Sequence, residues 1–241
     1  VTVLHSSKDR KVANLVTKNG KQAAISNTFG LANGIAASCV GATKYCEKIC
    51  YAGSLENTFT AVGRNMQENY KLLRYSSISS MTLMLDELLY EFVKKSTKAG
   101  ADMIYRIHWD GDFFNGAYTK AWSVIIGKYY MVQFWVYTRS LDAAISLHTA
   151  NHDNLSLYFS ADPENKEMAK KIHKLGIRIA AVDETFADSQ ALVKEITGRV
   201  GAKCPEQTGQ IPLISSEGSA CARCRLCVDG KANISFSRTK K

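Results

Sequence analysis

The stretch DMIYRIHWDGD (102–112) opens an alternation of apolar runs and helical patterns that continues to AVDE (181–184) and decides the fold. Strands are predicted at 102–109, 132–138, 155–160 and 177–182. The second, VQFWVYT, is dense in the aromatic and β-branched residues that suit a pleated sheet. Between them the spacing predicts helices over 117–129, 141–150 and 163–175, with a short one at 191–196. Ser140 stands where it would cap the second helix. Asp162 and Pro163 occupy the N-cap and first-turn positions of the third, and Gly176 lies just past its end. Near-continuously apolar strands joined by helices imply a parallel sheet covered on both sides. The expected class is α/β: a partial, open, TIM-like parallel barrel formed by residues 1–241 as one domain, with cysteine-rich segments near both ends. A doubly wound open sheet is the alternative. Both folds bind ligands beyond the C-terminal ends of the strands.

Working outward, a short strand is predicted at 22–26, and helices at 43–51, with Gly53 closing it, and at 58–74. A clearer helix covers 80–98, where Met81, Leu85, Leu88, Leu89 and Phe92 keep one apolar face and Gly100 ends the pattern. A last strand is placed at 211–214.

The strand ends carry unusual polarity. The first runs out into His108, Asp110 and Asp112, the second into Arg139 and Ser140, the third into Asp162, and the fourth into Asp183 and Glu184. Ionisable groups at four consecutive ends would be desolvated needlessly if they served packing alone. His108, Asp110, Asp112, Arg139 and Asp183 are therefore the candidate catalytic residues. The plainer reading makes Ser140 and Asp162 helix caps and pairs Arg139 with a neighbouring Asp.

Composition sets the outer limits. A chain of 241 residues with 46% hydrophobic and 22% charged residues is long enough to bury a core and too ordinary for a fibrous or disordered protein. The longest apolar stretch, near 129–137, includes Gln133 and falls short of the ~20 residues that span a bilayer. Lys8, Asp9, Arg10 and Lys11 stand where a signal peptide needs an apolar run, so a cytoplasmic, membrane-free protein is expected. The formal charge of +9 favours polyanions, nucleic acid among them, but the basic residues are spread over helix faces and the two tails, 8–21 and 238–241.

Cysteine is the informative count. The seven thiols form two sets, Cys39, Cys46 and Cys50 in a loop at 39–53, and Cys204, Cys221, Cys224 and Cys227 in a segment at 204–228. In a reducing compartment such clustering points to metal. If 43–51 is one helix, Cys46 and Cys50 share a face and both sulfurs reach one centre. Three thiolates suit a 4Fe-4S cubane with one iron free for an outside ligand, whereas tetrahedral zinc would need a fourth donor from elsewhere. Cys-x2-Cys-x2-Cys with a remote Cys204-Pro205 is similar to the ferredoxin run that wraps a cubane. One or two 4Fe-4S clusters are expected, with zinc as the alternative.

Two resemblances follow. The string from Cys39 to Cys46 with Cys50-Tyr51-Ala52, together with Arg106-Ile107-His108, Gly111-Asp112-Phe113, Tyr137-Thr138-Arg139-Ser140, Phe159-Ser160-Ala161-Asp162 and the closing cysteines, resembles the phage family named for gene product eighty-eight, over roughly 22–228. That resemblance implies a phage or prophage origin, hence the cytoplasm of an infected bacterium. The order of strand, three-cysteine segment, barrel units and C-terminal cysteines is similar to radical SAM enzymes, although Cys39-x6-Cys46-x3-Cys50 departs from their usual Cys-x3-Cys-x2-Cys. This second resemblance implies an iron–sulfur enzyme that uses S-adenosylmethionine on a small-molecule substrate, with a reductase or ferredoxin as electron donor. The competing readings are a nucleic-acid-binding protein with structural metals and an electron-transfer accessory without a substrate pocket.

Overall fold

The computed structural model describes residues 3–238; the basic tail beyond Arg238 lies outside the described residues. The chain opens with β1 (Ser6–Ser7), β2 (Asn14–Val16), β3 (Gln22–Ala24) and β4 (Thr28–Phe29). Four helices follow: α1 (Lys44–Ile49), α2 (Tyr51–Thr58), α3 (Thr60–Arg74) and α4 (Ile78–Ala99). The alternating part comprises β5 (Ile104–Ile107), α5 (Gly116–Lys128), β6 (Gln133–Thr138), α6 (Leu141–Ala150), β7 (Leu155–Ala161), α7 (Lys166–Lys174), β8 (Arg178–Asp183) and α8 (Phe186–Thr197). The chain closes with β9 (Ala202–Lys203), β10 (Ile214–Ser215), β11 (Gly218–Ser219), α9 (Ala220–Cys224) and β12 (Ile234–Ser237).

The main sheet has eight strands in the order β1-β4-β5-β6-β7-β8-β12-β9, all parallel from β4 onward, with β1 antiparallel at one edge. The order never reverses between β4 and β8, so the sheet has no switch point of the doubly wound kind. Among the described residues β1 and β9 are edges and no ladder closes a barrel.

Register sorts the two faces. Phe29, Tyr105, Ile107, Phe134, Val136 and Phe159 fall on one face and are buried; Trp122 of α5 packs on Phe29, Tyr105 and Phe134. The opposite face carries Arg106, Gln133, Tyr137, Ser156 and Tyr158, and its cover is not the second helical layer that the apolar strands imply. The C-terminal cysteine segment lies there: Val228 O accepts from Ser156 Oγ (2.7 Å) and Gln133 Nε2 (3.0 Å), and Leu226 O accepts from the Tyr158 hydroxyl.

Several elements differ from the sequence expectation. The strand at 22–26 shortens to β3 and pairs with β2 in a separate ribbon, so β4 is the parallel strand that leads into the cysteine loop. The last parallel strand is β12; the segment at 211–214 contributes only Ile214, to the β10–β11 hairpin. Helix α7 begins at Lys166 instead of Pro163, because the Asp162 carboxylate takes the amides of Glu164 and Asn165 in a turn ahead of it. The helix expected over 43–51 breaks at Cys50, whose backbone is extended (φ −60°, ψ 110°), and Gly53 sits inside α2 instead of ending a helix. Ser140 caps α6, and Gly100 takes the left-handed conformation that stops α4.

Candidate functional site

The cysteine loop lies across the C-terminal ends of three adjacent parallel strands, held by the polar residues there. After β6, the Arg139 backbone carbonyl packs so closely on Gly41 that a Cβ would collide with it. After β7, Asp162 Oδ2 accepts from Thr43 Oγ1 at 2.6 Å and pairs with Arg139 Nη1 at 2.9 Å, and its side chain is wholly buried. At the end of β8, Asp183 Oδ1 accepts from the Tyr45 hydroxyl at 3.0 Å. Thr43 also caps α1, accepting from Cys46 N at 2.9 Å. One threonine thus fixes a cysteine to the strand edge. Arg139, Asp162 and Asp183 are brought together as anchors of the loop.

Asp112 is satisfied on every side. Its carboxylate accepts from Phe113 N, Thr138 Oγ1 and Arg139 N at 2.6–2.7 Å, and its amide donates to Ser38 Oγ, one residue before Cys39. Burial raises its pKa against those hydrogen bonds. Asp110 differs. Oδ1 takes the Gly111 amide, while the buried Oδ2 has no donor and faces the carboxyl of Glu56 on α2. Burial, then this second carboxyl, pushes the Asp110 pKa up to about 9, which favours its neutral form. Asn33 binds Glu56 through its backbone amide at 2.9 Å and its side-chain amide.

His108 stands apart. Its backbone is left-handed (φ 59°), and its ring is enclosed by Phe29, Phe113, Tyr118 and Trp122. Nε2 meets the Tyr118 hydroxyl at 2.8 Å, and Nδ1 is buried without a partner. Burial, with Arg106 second, lowers its pKa to about 3. It lines neither cysteine pocket.

All seven cysteines are unpaired and half-buried, and they divide between two pockets. Cys39, Cys46 and Cys50 line an open one of about 250 Å³ with Asn33, Lys48 and Asn57. Cys50 Sγ also accepts from Gly53 N at 3.3 Å, capping α2. Cys204, Cys221, Cys224 and Cys227 line a gap of about 30 Å³ against Leu226, Val228 and Ile234. That is the room of one water molecule, so a larger inorganic group would require the four thiols to spread. Among the described residues no three His, Cys, Asp or Glu side chains stand at the spacing of donors around one ion. The cysteine sulfurs suit soft metals, and each pocket also carries one carboxylate, Glu47 beside the first set and Glu206 beside the second. Burial raises the thiol pKa of Cys39, Cys50, Cys204 and Cys221, and pushes Cys227 up to about 12, so metal binding would release protons.

Thr43, Tyr45, Asn33 and Glu56 were not among the residues predicted for the site. No local pattern marks them, because their partners lie far along the chain. Arg106 did carry a signal: a guanidinium in the middle of the apolar strand Ile104–Ile107 must be paired or functional.

No helix among the described residues is long and apolar enough to cross a membrane. No solved structure matches the chain. Two curated relatives are "Gene 88 protein" of Mycobacterium phage L5, 46% identical over 241 residues, and "Gene 88 protein" of Mycobacterium phage D29, 44% identical over 242 residues; in each case the match covers 99% of both chains. The family model described as Gene product 88 matches residues 2–230, and with two full-length phage relatives beside it the chain belongs to the Gene product 88 family.

Proposed function

We propose that this is an iron–sulfur protein whose reactive centre is held by Cys39, Cys46 and Cys50 above the C-terminal edge of the sheet. The observation that carries the reading is the partition of seven unpaired cysteines between two pockets, one of about 250 Å³ and one of about 30 Å³. Three thiolates at the open pocket leave a cubane with one iron for an outside ligand, and the about 250 Å³ beside them gives that ligand room. The set of four offers the donor number of a fully ligated second centre, and its thiols would have to spread to admit one. The parallel sheet is read as an open, barrel-like trough with the three-cysteine loop at its mouth, the arrangement that motivates a redox or radical-type enzyme using S-adenosylmethionine.

Within that reading the chain's own residues have distinct tasks. Asp162, Arg139 and Asp183 seat the loop, Asp112 ties the ends of β5 and β6 together, and Asn33, Lys48 and Asn57 offer polar contacts to a bound molecule. A bound cluster would supply one-electron chemistry and an open iron. The test is anaerobic purification followed by iron, sulfide and zinc analysis and a visible spectrum. Iron and sulfide with absorption bleached by dithionite support the reading; zinc alone defeats it. Incubation with S-adenosylmethionine and reductant tests the radical version separately, and no 5′-deoxyadenosine from loaded protein removes that version.

A further inference from the structure

Basic residues that stand far apart in the sequence are gathered by the fold at one end of α4. Lys18 and Lys21 flank the tip of the β2–β3 hairpin, a tight turn in which Gly20 N donates to Thr17 O at 2.9 Å and Thr17 N to Lys21 O at 2.8 Å, with Gly20 left-handed at φ 70°. That tip is fastened to the helix end. Lys18 N donates to Gly100 O at 3.0 Å, Thr17 bridges Ala101, and a Cβ on Gly100 would meet the Lys18 stem at 3.2 Å. On α4 itself Tyr90, Lys94 and Lys98 recur every four residues, successive groups ~6 Å apart along the axis, on the face opposite the buried Leu85, Phe92 and Ser96. Tyr90 is 58% exposed, and Lys94 Nζ stands 5.9 Å from its ring centroid. Lys95, beside this row, is exposed, as are Lys98, Lys18 and Lys21.

Five lysines from two distant segments thus surround one helix end. The carbonyl end of α4 accounts for one or two of these cations, and Lys94 pairs with Glu91 at 3.4 Å. Among the described residues Lys18, Lys21, Lys95 and Lys98 have no carboxylate partner. The surplus positive charge is therefore open to solvent, next to an exposed aromatic ring. A row of cations matches the phosphates of a polynucleotide, and an exposed ring offers a face on which an unpaired base stacks, whereas a duplex keeps its bases stacked inside. We infer that Tyr90, Lys94 and Lys98 of α4, continued by Lys18 and Lys21 of the hairpin, bind single-stranded nucleic acid through its phosphates and a stacked base. Gly100 precedes β5, so this surface lies at the opposite end of the parallel strands from the Cys39–Cys50 loop. The binding does not depend on what the cysteines hold.

The test is fluorescence anisotropy of labelled oligo(dT), oligo(U) and a DNA duplex of equal length, titrated with the full chain across a salt series. Single-strand affinity should fall with salt along a log–log slope of about −0.7 per phosphate contacted, about −3 for four lysines. Lys18→Gln combined with Lys98→Gln should make that slope shallower by about 1.4, and Tyr90→Ala should weaken binding about fivefold or more. Lys171→Gln combined with Lys174→Gln, exposed on α7, removes the same charge and should leave the slope unchanged. All the replaced side chains are exposed, so circular dichroism should match the wild type in each variant. Retention of either oligo(dT) or oligo(U) with these effects supports the inference and identifies the strand. Absence of salt-dependent binding to both, an equal loss from the α7 pair, or duplex binding as tight as single-strand binding and indifferent to Tyr90 overturns it.

Discussion

The hydroxyl of Thr43 donates to the buried carboxylate of Asp162 at 2.6 Å, although 119 positions separate the two residues. That contact converts the polar end of a parallel strand into a clamp on the cysteine loop. In an α/β sheet the C-terminal strand ends are where ligands are expected. Here several of those residues hold the segment that would hold the ligand.

Removing the clamp has a large expected effect. Asp162→Ala leaves Arg139 buried and unpaired, and losing one partner of such a pair costs ~3–5 kcal/mol. Thr43→Val removes one hydrogen bond, at about 1 kcal/mol. Urea denaturation should rank the two in that order, and both variants should load less metal at the first cysteine set. Wild-type stability in Asp162→Ala would contradict the clamp.

Gly41→Ala tests the same seating from the backbone. The added methyl meets the Arg139 carbonyl, and overpacking costs about 1–3 kcal/mol. The expected outcome is a folded protein, by circular dichroism, whose loop has lifted and whose first set binds metal poorly while the second set is unaffected.

Much of this was legible in the sequence. The alternation from 102 onward gives the parallel strands and helix α6 with its Ser140 cap, since local periodicity and capping residues agree there. Strand β12 was not legible, because ISFS is short and is made a strand only by pairing Ile234 with Ala180 and Ala202. The cysteine sets announce themselves by spacing, and each does gather at one pocket. The roles of the polar strand ends do not follow from residue type. Asp112 and Asp110 look alike in sequence, yet one is saturated with donors and the other has a buried oxygen without one beside Glu56.

The buried Asp110 carboxyl makes a pH prediction. Asp110 has a folded pKa above its unfolded value, so its contribution is fully present below the unfolded carboxylate pKa and is lost as pH rises through the folded one. Asp110→Asn keeps the acceptor for Gly111 and supplies a donor to Glu56. Its stability relative to wild type should therefore improve from pH 5 to pH 8 in matched urea titrations. An unchanged difference across that range would show that Asp110 is not protonated there.

His108 gives the opposite sign. With a folded pKa of about 3 against an ordinary value of 6.5, it stabilises the fold above pH 6.5, and the contribution is lost as pH falls toward 3. His108→Asn, which tolerates the left-handed backbone, should flatten that part of the acid-unfolding profile. Retained metal content in the folded variant at neutral pH is also expected, because the ring lines neither cysteine pocket.

The central claim is that each cysteine set holds its own thiolate-bound iron–sulfur centre, and metal stoichiometry measured set by set tests it most directly. Anaerobically reconstituted wild-type protein should contain roughly eight irons matched by sulfide, falling by about half when Cys39, Cys46 and Cys50 become Ser and likewise when Cys221, Cys224 and Cys227 do. Zinc without iron, or an iron content that neither triple replacement lowers, would contradict the account.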